Sequence, residues 1–185
     1  MGTCSMKKCI AAALVAWALL SAPAHAGIVI EEVKGWSVVK EDDGCSIQME
    51  YEGPGSTKLT FGKLEEHGIG VMVMNYNWSA KDGERYETHF ALDDVVYSGI
   101  AVGTSDSIWK GFIILMEDEF EQHLSRGTTL HVFLGEERID QLSLDGSSAA
   151  ISAMNRCYSD VMRERAAERA EKRRWEHLPQ DPFDK

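Results

Sequence analysis

The sequence lacks the short motifs that carry the common hydrolytic and phosphoryl-transfer reactions. Ser147 and Ser148 follow a glycine after a predicted strand, but a nucleophile elbow needs a second glycine, and Ala150 stands in its place. Gly53-Pro54-Gly55 is not followed by Gly-Lys-Ser or Gly-Lys-Thr, which excludes a phosphate-binding loop. The two serines suit a helix start instead, where a hydroxyl accepts free amide hydrogens. The sequence therefore predicts a protein that is not an enzyme.

Motifs for metal and redox chemistry are also missing. No Cys-x-x-Cys occurs, and the paired acids do not alternate as they do in a calcium loop. From position 67 onward no two histidines stand four residues apart, the spacing of a helical metal site: they are His67, His89, His123, His131 and His177. We expect no metal ion and no cofactor.

Positive charge is scarce where most of the fold is expected. Residues 27–155 hold 9 basic and 23 acidic side chains, a net charge of −14, against −11 for the whole chain of 185 residues. Such a body repels nucleic acid and anionic lipid, so we expect neither as a partner. Basic proteins or cations are favoured. The alternative interpretation is that the acidity only keeps the protein soluble.

Residues 1–26 have the pattern of a signal peptide. Lys7 and Lys8 precede an apolar run at 10–20, and Ala24 and Ala26 form a small-x-small cleavage site. The run is shorter than the roughly 20 residues that span a bilayer, which disfavours the alternative, a retained anchor. We expect a mature chain beginning at Gly27, periplasmic or secreted, that meets a membrane only during export.

Only two cysteines follow the leader, Cys45 and Cys157. In an oxidising compartment two cysteines are most simply one disulfide. Closing so long a loop is worth about 4–5 kcal/mol on the chain-entropy model. The sequence therefore predicts a covalent link between an early strand and a late helix.

The body of the chain has the alternation of short strands. Ile47, Met49 and Tyr51 share one face of a segment, and turns at glycine and aspartate separate the segments. The run Val71-Met72-Val73-Met74 is apolar on both faces, which places it in the middle of a sheet or between layers. We predict an α+β fold, mostly antiparallel β, with about 8–9 short strands in a sandwich or a strongly curved sheet.

Two helices complete the prediction. Acids at 117–119 favour the first turn of a short helix that carries Phe120 and Leu124 and ends at Gly127. A long helix follows Ser147 and loses its apolar stripe after Met162. The domain is therefore predicted to span 27–160, with a charged helical tail at 161–185 that extends into solvent. The basic run at 172–175 either docks a partner or is simply a solvated helix end.

Aromatic and acidic residues in or near turns are the remaining candidates for binding. Rings beside acids bind sugars or cationic side chains, although they also fill the edges of small sheets. The candidates are Trp78, Tyr86, Asp93, Asp94, Tyr97 and Trp109.

Two stretches, GTTLHV at 127–132 and IDQLSLDGSSAA at 139–150, carry a resemblance to a known family, as does Trp36-Ser37-Val38 ahead of Cys45. They resemble the ending and the start of the invasion-associated locus B family of small exported proteins of alphaproteobacteria. The middle of the chain departs from the family, because its usual second cysteine pairing is not found. The resemblance implies a periplasmic or surface β-rich domain without catalysis, linked to envelope or host interaction, and it supplies no site.

Together these features predict an exported, non-enzymatic domain that binds a protein or an envelope component, possibly a basic one. The alternative is an acidic periplasmic inhibitor of a basic hydrolase such as a lysozyme, which would bind through a negative rim of paired acids.

Overall fold

The structure of the protein, a computed structural model, describes residues 27–176. The predicted signal peptide, His177 and the end of the predicted tail lie outside the described residues. The helices are α1 (Asp118–Arg126) and α2 (Ser147–Glu176). The strands are β1 (Ile28–Val33), β2 (Trp36–Lys40), β3 (Gly44–Tyr51), β4 (Thr57–Leu64), β5 (Gly68–Asn75), β6 (Arg85–Leu92), β7 (Val95–Ser105), β8 (Lys110–Met116), β9 (Thr129–Leu134) and β10 (Glu137–Ser143).

All ten strands form one antiparallel sheet, in the order β1-β2-β3-β4-β5-β8-β7-β6-β9-β10. The α+β class is confirmed, and β5 lies in the middle of the sheet as predicted. The described residues hold more strands than the eight or nine expected. The additional strand is β1, at one edge, where Ile28, Val29 and Ile30 are all at least half exposed. Without an alternation of buried and exposed positions, β1 has no periodic signal.

The sheet bends back on itself. Neighbouring strands lie about 4.8 Å apart, so the seven steps from β3 to β10 would span roughly 34 Å in a flat sheet. The Tyr51 hydroxyl in β3 nevertheless donates to the carbonyl of Ser143 in β10, at 2.7 Å. The Thr57 hydroxyl in β4 likewise donates to Asp140 in β10, at 2.5 Å. β10 therefore crosses the ends of β3 and β4.

The core fills the inside of this bend. Leu59 and Phe61 of β4 stand opposite Val73 and Val71 of β5, and all four are at most 1 % exposed. Burying each such side chain stabilises the fold by about 1.5–3 kcal/mol. Phe90 of β6 comes from the other half of the sheet and is also fully buried. One continuous core therefore joins both halves of the sheet.

Helix α1 covers part of the inside of the bend, and both of its ends have the features that the sequence predicts. Its first turn carries acidic residues, which the helix dipole favours, and Gly127 is its C-terminal cap. Phe120 is fully buried and packs against Phe61, with ring centroids 6.2 Å apart. The side chain of Leu124 is also buried. The short helix thus presses its apolar face on the core, as predicted.

Helix α2 is attached to the sheet by the predicted disulfide. Cys45 of β3 and Cys157 of α2 are bonded, with Cα atoms 6.1 Å apart and 112 residues between their positions. Lys63 of β4 adds a polar link, since its ammonium pairs with Glu121 of α1 and donates to Asn155 of α2 at 2.9 Å. The sheet and both helices are therefore joined at the Lys63 side chain.

At the start of α2, the hydrogen bond of Ser147 differs from the expected capping of the helix. The Ser147 side chain is buried, and its hydroxyl donates to the carbonyl of Leu124, at 3.0 Å. The serine therefore fastens α2 to the end of α1, because its hydroxyl lies against that helix.

The charged part of α2 is not free of the body. The helix runs unbroken through the predicted boundary between 160 and 161, and Val161 is buried. Beyond it, Glu65 in the β4–β5 turn accepts from Arg165 at 2.9 Å and from Arg169 at 2.6 Å. These cations hold the pKa of Glu65 below its usual range, mainly through the Arg169 hydrogen bond. The helix thus contacts the β4–β5 turn as far as Arg169, while most of its side chains from 163 to 176 are exposed.

Candidate functional site

A pocket of about 300 Å³ opens where β10 crosses the end of β5. We name it the Trp78 pocket, and it is lined by Asn77, Trp78, Ser79, Ala80, Tyr86, Phe112, Leu134 and Ile139. The lining comes from four strands and one loop. Tyr86 and Phe112 stand near the starts of β6 and β8, Leu134 ends β9, and Ile139 lies at the bulge in β10.

The Trp78 ring forms one wall of the pocket. It lies parallel to Phe112, with centroids 5.8 Å apart and ring planes 5° apart. Phe112 in turn meets Phe90 of the core edge-on, at 6.3 Å. Because the Trp78 indole rests on a ring anchored in the core, it is a rigid surface for a ligand.

Tyr86 forms the facing wall and is held by its hydroxyl. The Lys81 amide donates to that hydroxyl at 3.0 Å, and the hydroxyl donates to Glu84 at 3.1 Å. Glu84 is also 3.7 Å from the Lys81 ammonium. The Tyr86 hydroxyl is therefore engaged by its own loop, and the ring rather than the hydroxyl faces a ligand.

A buried polar network supports the pocket from below. The Asn75 amide donates to the Thr57 hydroxyl at 2.9 Å, and the Asn75 side-chain oxygen accepts the amide hydrogen of Asn77 at 2.8 Å. Thr57 bonds Asp140, which follows Ile139 directly. A Cβ at Gly55 would lie 2.4 Å from the Asn75 oxygen, so this position needs glycine. The network fixes the start of the β5–β6 loop, which carries Asn77, relative to β10, which carries Ile139.

Tyr51 extends this network to the end of β10. Burial, and to a smaller degree the Asp140 carboxylate, raise the pKa of Tyr51 well above 10.0. The hydroxyl therefore remains protonated and keeps donating to Ser143. It contributes to closing the bend, not to acid–base chemistry.

Trp109, another predicted binding residue, lies near the pocket but outside it. Its ring is 5 % exposed and stacks on Tyr76, with centroids 3.7 Å apart. The Lys58 ammonium lies 4.6 Å from its centroid. The amides of Ile108 and Trp109 donate to Asp106 and lower the pKa of that carboxyl group. Trp109 thus packs within an ordered loop.

The other three predicted binding residues lie elsewhere. Asp93 and Asp94 form the β6–β7 turn, at the opposite end of β6 from Tyr86. Tyr97 packs edge-on against Phe120 at 4.9 Å, and its hydroxyl bonds His123. The structure therefore brings together Trp78 and Tyr86 and separates the rest.

The paired acids are also distributed unevenly. Glu31 pairs with Arg156 at 3.5 Å, Glu65 pairs with two arginines, and the Asp42 carbonyl accepts from Arg165 at 3.1 Å, so the paired acids at 31–32, 42–43 and 65–66 adjoin α2. Glu136 and Glu137 are exposed in the β9–β10 turn, beside Leu134 of the pocket. This pair is the one placed to influence a ligand there.

Residues 27–176 show neither a metal-binding cluster nor a membrane-spanning helix. No group of three His, Cys, Asp or Glu side chains is arranged to hold a metal ion there. Neither α1 nor α2 combines the length and apolarity needed to cross a membrane.

Comparison with known proteins identifies a similar fold. No protein-family profile matches the sequence, and no curated protein matches it. The structure is similar to the crystal structure of invasion associated protein B from Bartonella henselae, with a TM-score of 0.52 and 12 % identity. The match covers 67 % of this chain and 94 % of that chain. The resemblance found in the sequence is thus confirmed at the level of the fold.

Sequence reasoning did not identify six of the eight pocket residues, which are Asn77, Ser79, Ala80, Phe112, Leu134 and Ile139. Leu134 carried a usable signal, because it continues the alternation of Leu130 and Val132 on the inner face of β9. Ile139 carried none, since its position depends on a bulge and on a strand crossing.

Proposed function

We propose that this chain is an exported, non-enzymatic domain that binds a protein or envelope component by inserting an apolar group of that partner into the Trp78 pocket. The observation that supports this most directly is the meeting of Trp78 and Tyr86 around a preformed pocket of about 300 Å³. Pockets of this kind, with anchored aromatic walls, favour binding through one buried side chain.

The lining favours an apolar group. Its walls are Trp78, Phe112, Leu134 and Ile139, and the Tyr86 hydroxyl is engaged by Lys81 and Glu84. A charged ligand group would lose water without gaining a partner, which costs free energy. An aliphatic or aromatic side chain of a protein suits this space.

The charge of the body favours a basic partner. Residues 27–155 carry a net charge of −14, and Glu136 and Glu137 flank the pocket. Complementary charge increases the rate of encounter and selects among partners, while the pocket supplies an anchor.

The lining also supports a non-enzymatic role. None of the eight described residues that line the pocket is acidic, histidine or cysteine. General acid–base catalysis needs an ionisable group within hydrogen-bond reach of the substrate, and the Tyr86 hydroxyl is engaged by Lys81 and Glu84.

Export is supported by two features of the chain. The disulfide Cys45–Cys157 is typical of an oxidising compartment, and residues 1–26 have the pattern of a signal peptide. The Bartonella protein with the similar fold is named for an association with invasion, which suits an exported protein.

An affinity pull-down from an envelope extract tests the binding proposal. We expect wild type to capture a partner, Trp78→Ala to lose it, and Trp175→Ala to retain it. Trp175 is the matched control, because it is 64 % exposed at the end of α2 and away from the pocket. Retention by Trp78→Ala, with a native circular dichroism spectrum, would contradict the proposal.

The acidic-inhibitor alternative has one specific support, the net charge of −14. It is distinguished by the turnover of a basic lysozyme in the presence of the purified protein. If the leading proposal is correct, lysozyme turnover should be unchanged at concentrations of the purified protein that saturate binding to the partner captured from the extract. Stoichiometric inhibition would favour the alternative.

A further inference from the structure

Gly27, the first described residue, passes very close to Glu41. A Cβ at position 27 would lie 2.4 Å from Cγ1 of Val39 and 2.5 Å from Oε2 of Glu41. Neither distance is sterically allowed, so a larger residue would displace one of these side chains. Glycine at this position therefore lets the chain approach the Glu41 carboxylate.

This crowding also locates the backbone nitrogen of Gly27. Tetrahedral bond geometry puts that nitrogen about 2.4 Å from the Cβ position, so it lies within about 5 Å of Oε2 of Glu41. The other oxygen of Glu41 accepts from the Ser46 hydroxyl at 3.3 Å, which orients the carboxylate.

The cations near this place are engaged by other carboxylates. Lys40 pairs with Glu164 at 2.7 Å, and Arg165 pairs with Glu65 at 2.9 Å. Gly27, Glu41, Glu164 and Glu168 line one cavity of about 380 Å³. The cavity gives a new cation on Gly27 room to move toward Glu41.

We propose that removal of the leader between Ala26 and Gly27 creates an α-ammonium that forms an ion pair with Glu41. Hydrolysis breaks the Ala26–Gly27 C–N bond. Water supplies hydroxyl to the Ala26 carboxyl group and hydrogen to the Gly27 amine, which takes up a proton at neutral pH because α-amino groups have a pKa near 8. The inference rests on the proposed export.

The ion pair has a structural consequence. It fastens the start of the edge strand β1, whose Ile28 is 69 % exposed, to the residue that follows β2. The precursor has an uncharged amide at this position and lacks the pair. Processing therefore completes the attachment of β1, and the processed chain is more stable than the precursor.

A double-mutant cycle on the exported full chain tests this inference. Glu41→Gln is made with the native N-terminus and with two glycines inserted between Ala26 and Gly27, which move the ammonium away. We expect Glu41→Gln to lower the thermal midpoint by about 2–4 °C with the native N-terminus and by less than about 1 °C in the extended chain. Glu52→Gln, an exposed carboxylate in a turn, is the control and should leave the midpoint unchanged.

Intact mass separates this inference from the export proposal. An uncleaved chain that stays in the cytoplasm would overturn both, whereas an exported chain cleaved at another position would overturn only the ion pair. A Gly27 N-terminus with equal Glu41→Gln shifts in the two chains would overturn only the ion pair. Acetylating the α-amine near pH 6.5, where lysines remain protonated, provides a second measurement and should reproduce the lower midpoint.

Discussion

Asn75 connects more groups than any other polar side chain beneath the Trp78 pocket. It is 5 % exposed and bonds Thr57, Pro54 and Asn77. We expect Asn75→Ala to lower the free energy of unfolding by about 2–3 kcal/mol, because each buried group left unpaired costs about 1–3 kcal/mol. Urea unfolding measures the loss. Asn77→Ala removes an exposed amide of the same kind and is the control, and equal losses would contradict the role given to Asn75.

The raised pKa of Tyr51 predicts that the stability of the fold decreases at alkaline pH. Burial first and Asp140 second raise the pKa of its hydroxyl above the ordinary 10.0. The stability it contributes is fully present below pH 10 and is lost as the pH rises, because the unfolded chain ionises first. Tyr97 has a raised pKa as well, through burial and the nearby Glu119 and Glu117, so both tyrosines contribute.

We expect Tyr51→Phe to reduce the fall in the urea midpoint between about pH 8 and about pH 11. Tyr76→Phe is the control, because the Tyr76 side chain is 41 % exposed. An unchanged pH dependence in Tyr51→Phe would refute the assignment.

At the residue level, sequence patterns singled out two of the eight residues that line the Trp78 pocket. Trp78 and Tyr86 stood out as rings near acids in turns. Asn75, Thr57 and Asp140 did not, because each bonds a residue of a different strand. Their roles depend on a crossing of strands that is encoded in no local pattern.

Glu65 holds the charged half of α2 against the sheet at two points. Glu65 accepts from Arg165 and Arg169, and the Arg169 hydrogen bond is the main cause of its lowered pKa. We expect Glu65→Gln to speed amide hydrogen exchange in residues 163–176 while the strands are unaffected. Glu66→Gln should have a smaller effect, because Glu66 influences Arg169 only at longer range.

The same attachment depends on pH in a defined direction. Because the pKa of Glu65 is lowered, its contribution is present above the ordinary carboxyl value of 4.5 and is lost as the pH falls through the lower, folded value. Protection factors in 163–176, which correct for the slower intrinsic exchange at low pH, should therefore fall on acidification in wild type. The Glu65→Gln protein should show a smaller fall, and equal behaviour would contradict this mechanism.

At the level of elements, alternation predicted most strands and both helices, but not their arrangement. The sheet places β8 between β5 and β7, and β6 between β7 and β9. The pairs β5–β8 and β6–β9 join strands that are distant in sequence, and an apolar strand fits several positions in a sheet equally well. The charged face of α2 was expected in solvent, because its partner Glu65 is more than a hundred residues away.

For the whole molecule, the pocket lies in the part of the chain that carries the excess of acidic residues. Residues 156–176 hold 7 basic and 5 acidic side chains, whereas residues 27–155 carry a net charge of −14. Arg165 and Arg169 of α2 neutralise Glu65, so the excess acid belongs to the rest of the body. A basic partner would thus be attracted by the body and anchored by the pocket.

These two contributions respond differently to salt. Exposed charges are screened beyond about 8–10 Å at physiological ionic strength, whereas burial of an apolar group is not weakened by added salt. We expect the Kd of the captured partner to increase steeply between about 0.1 M and about 0.5 M NaCl for wild type. The factor by which Trp78→Ala weakens binding should be the same at both concentrations, because contributions from separate parts of a surface are close to additive. Binding by wild type that does not change with salt would contradict a basic partner, and a Trp78→Ala effect that disappears at high salt would contradict an apolar anchor.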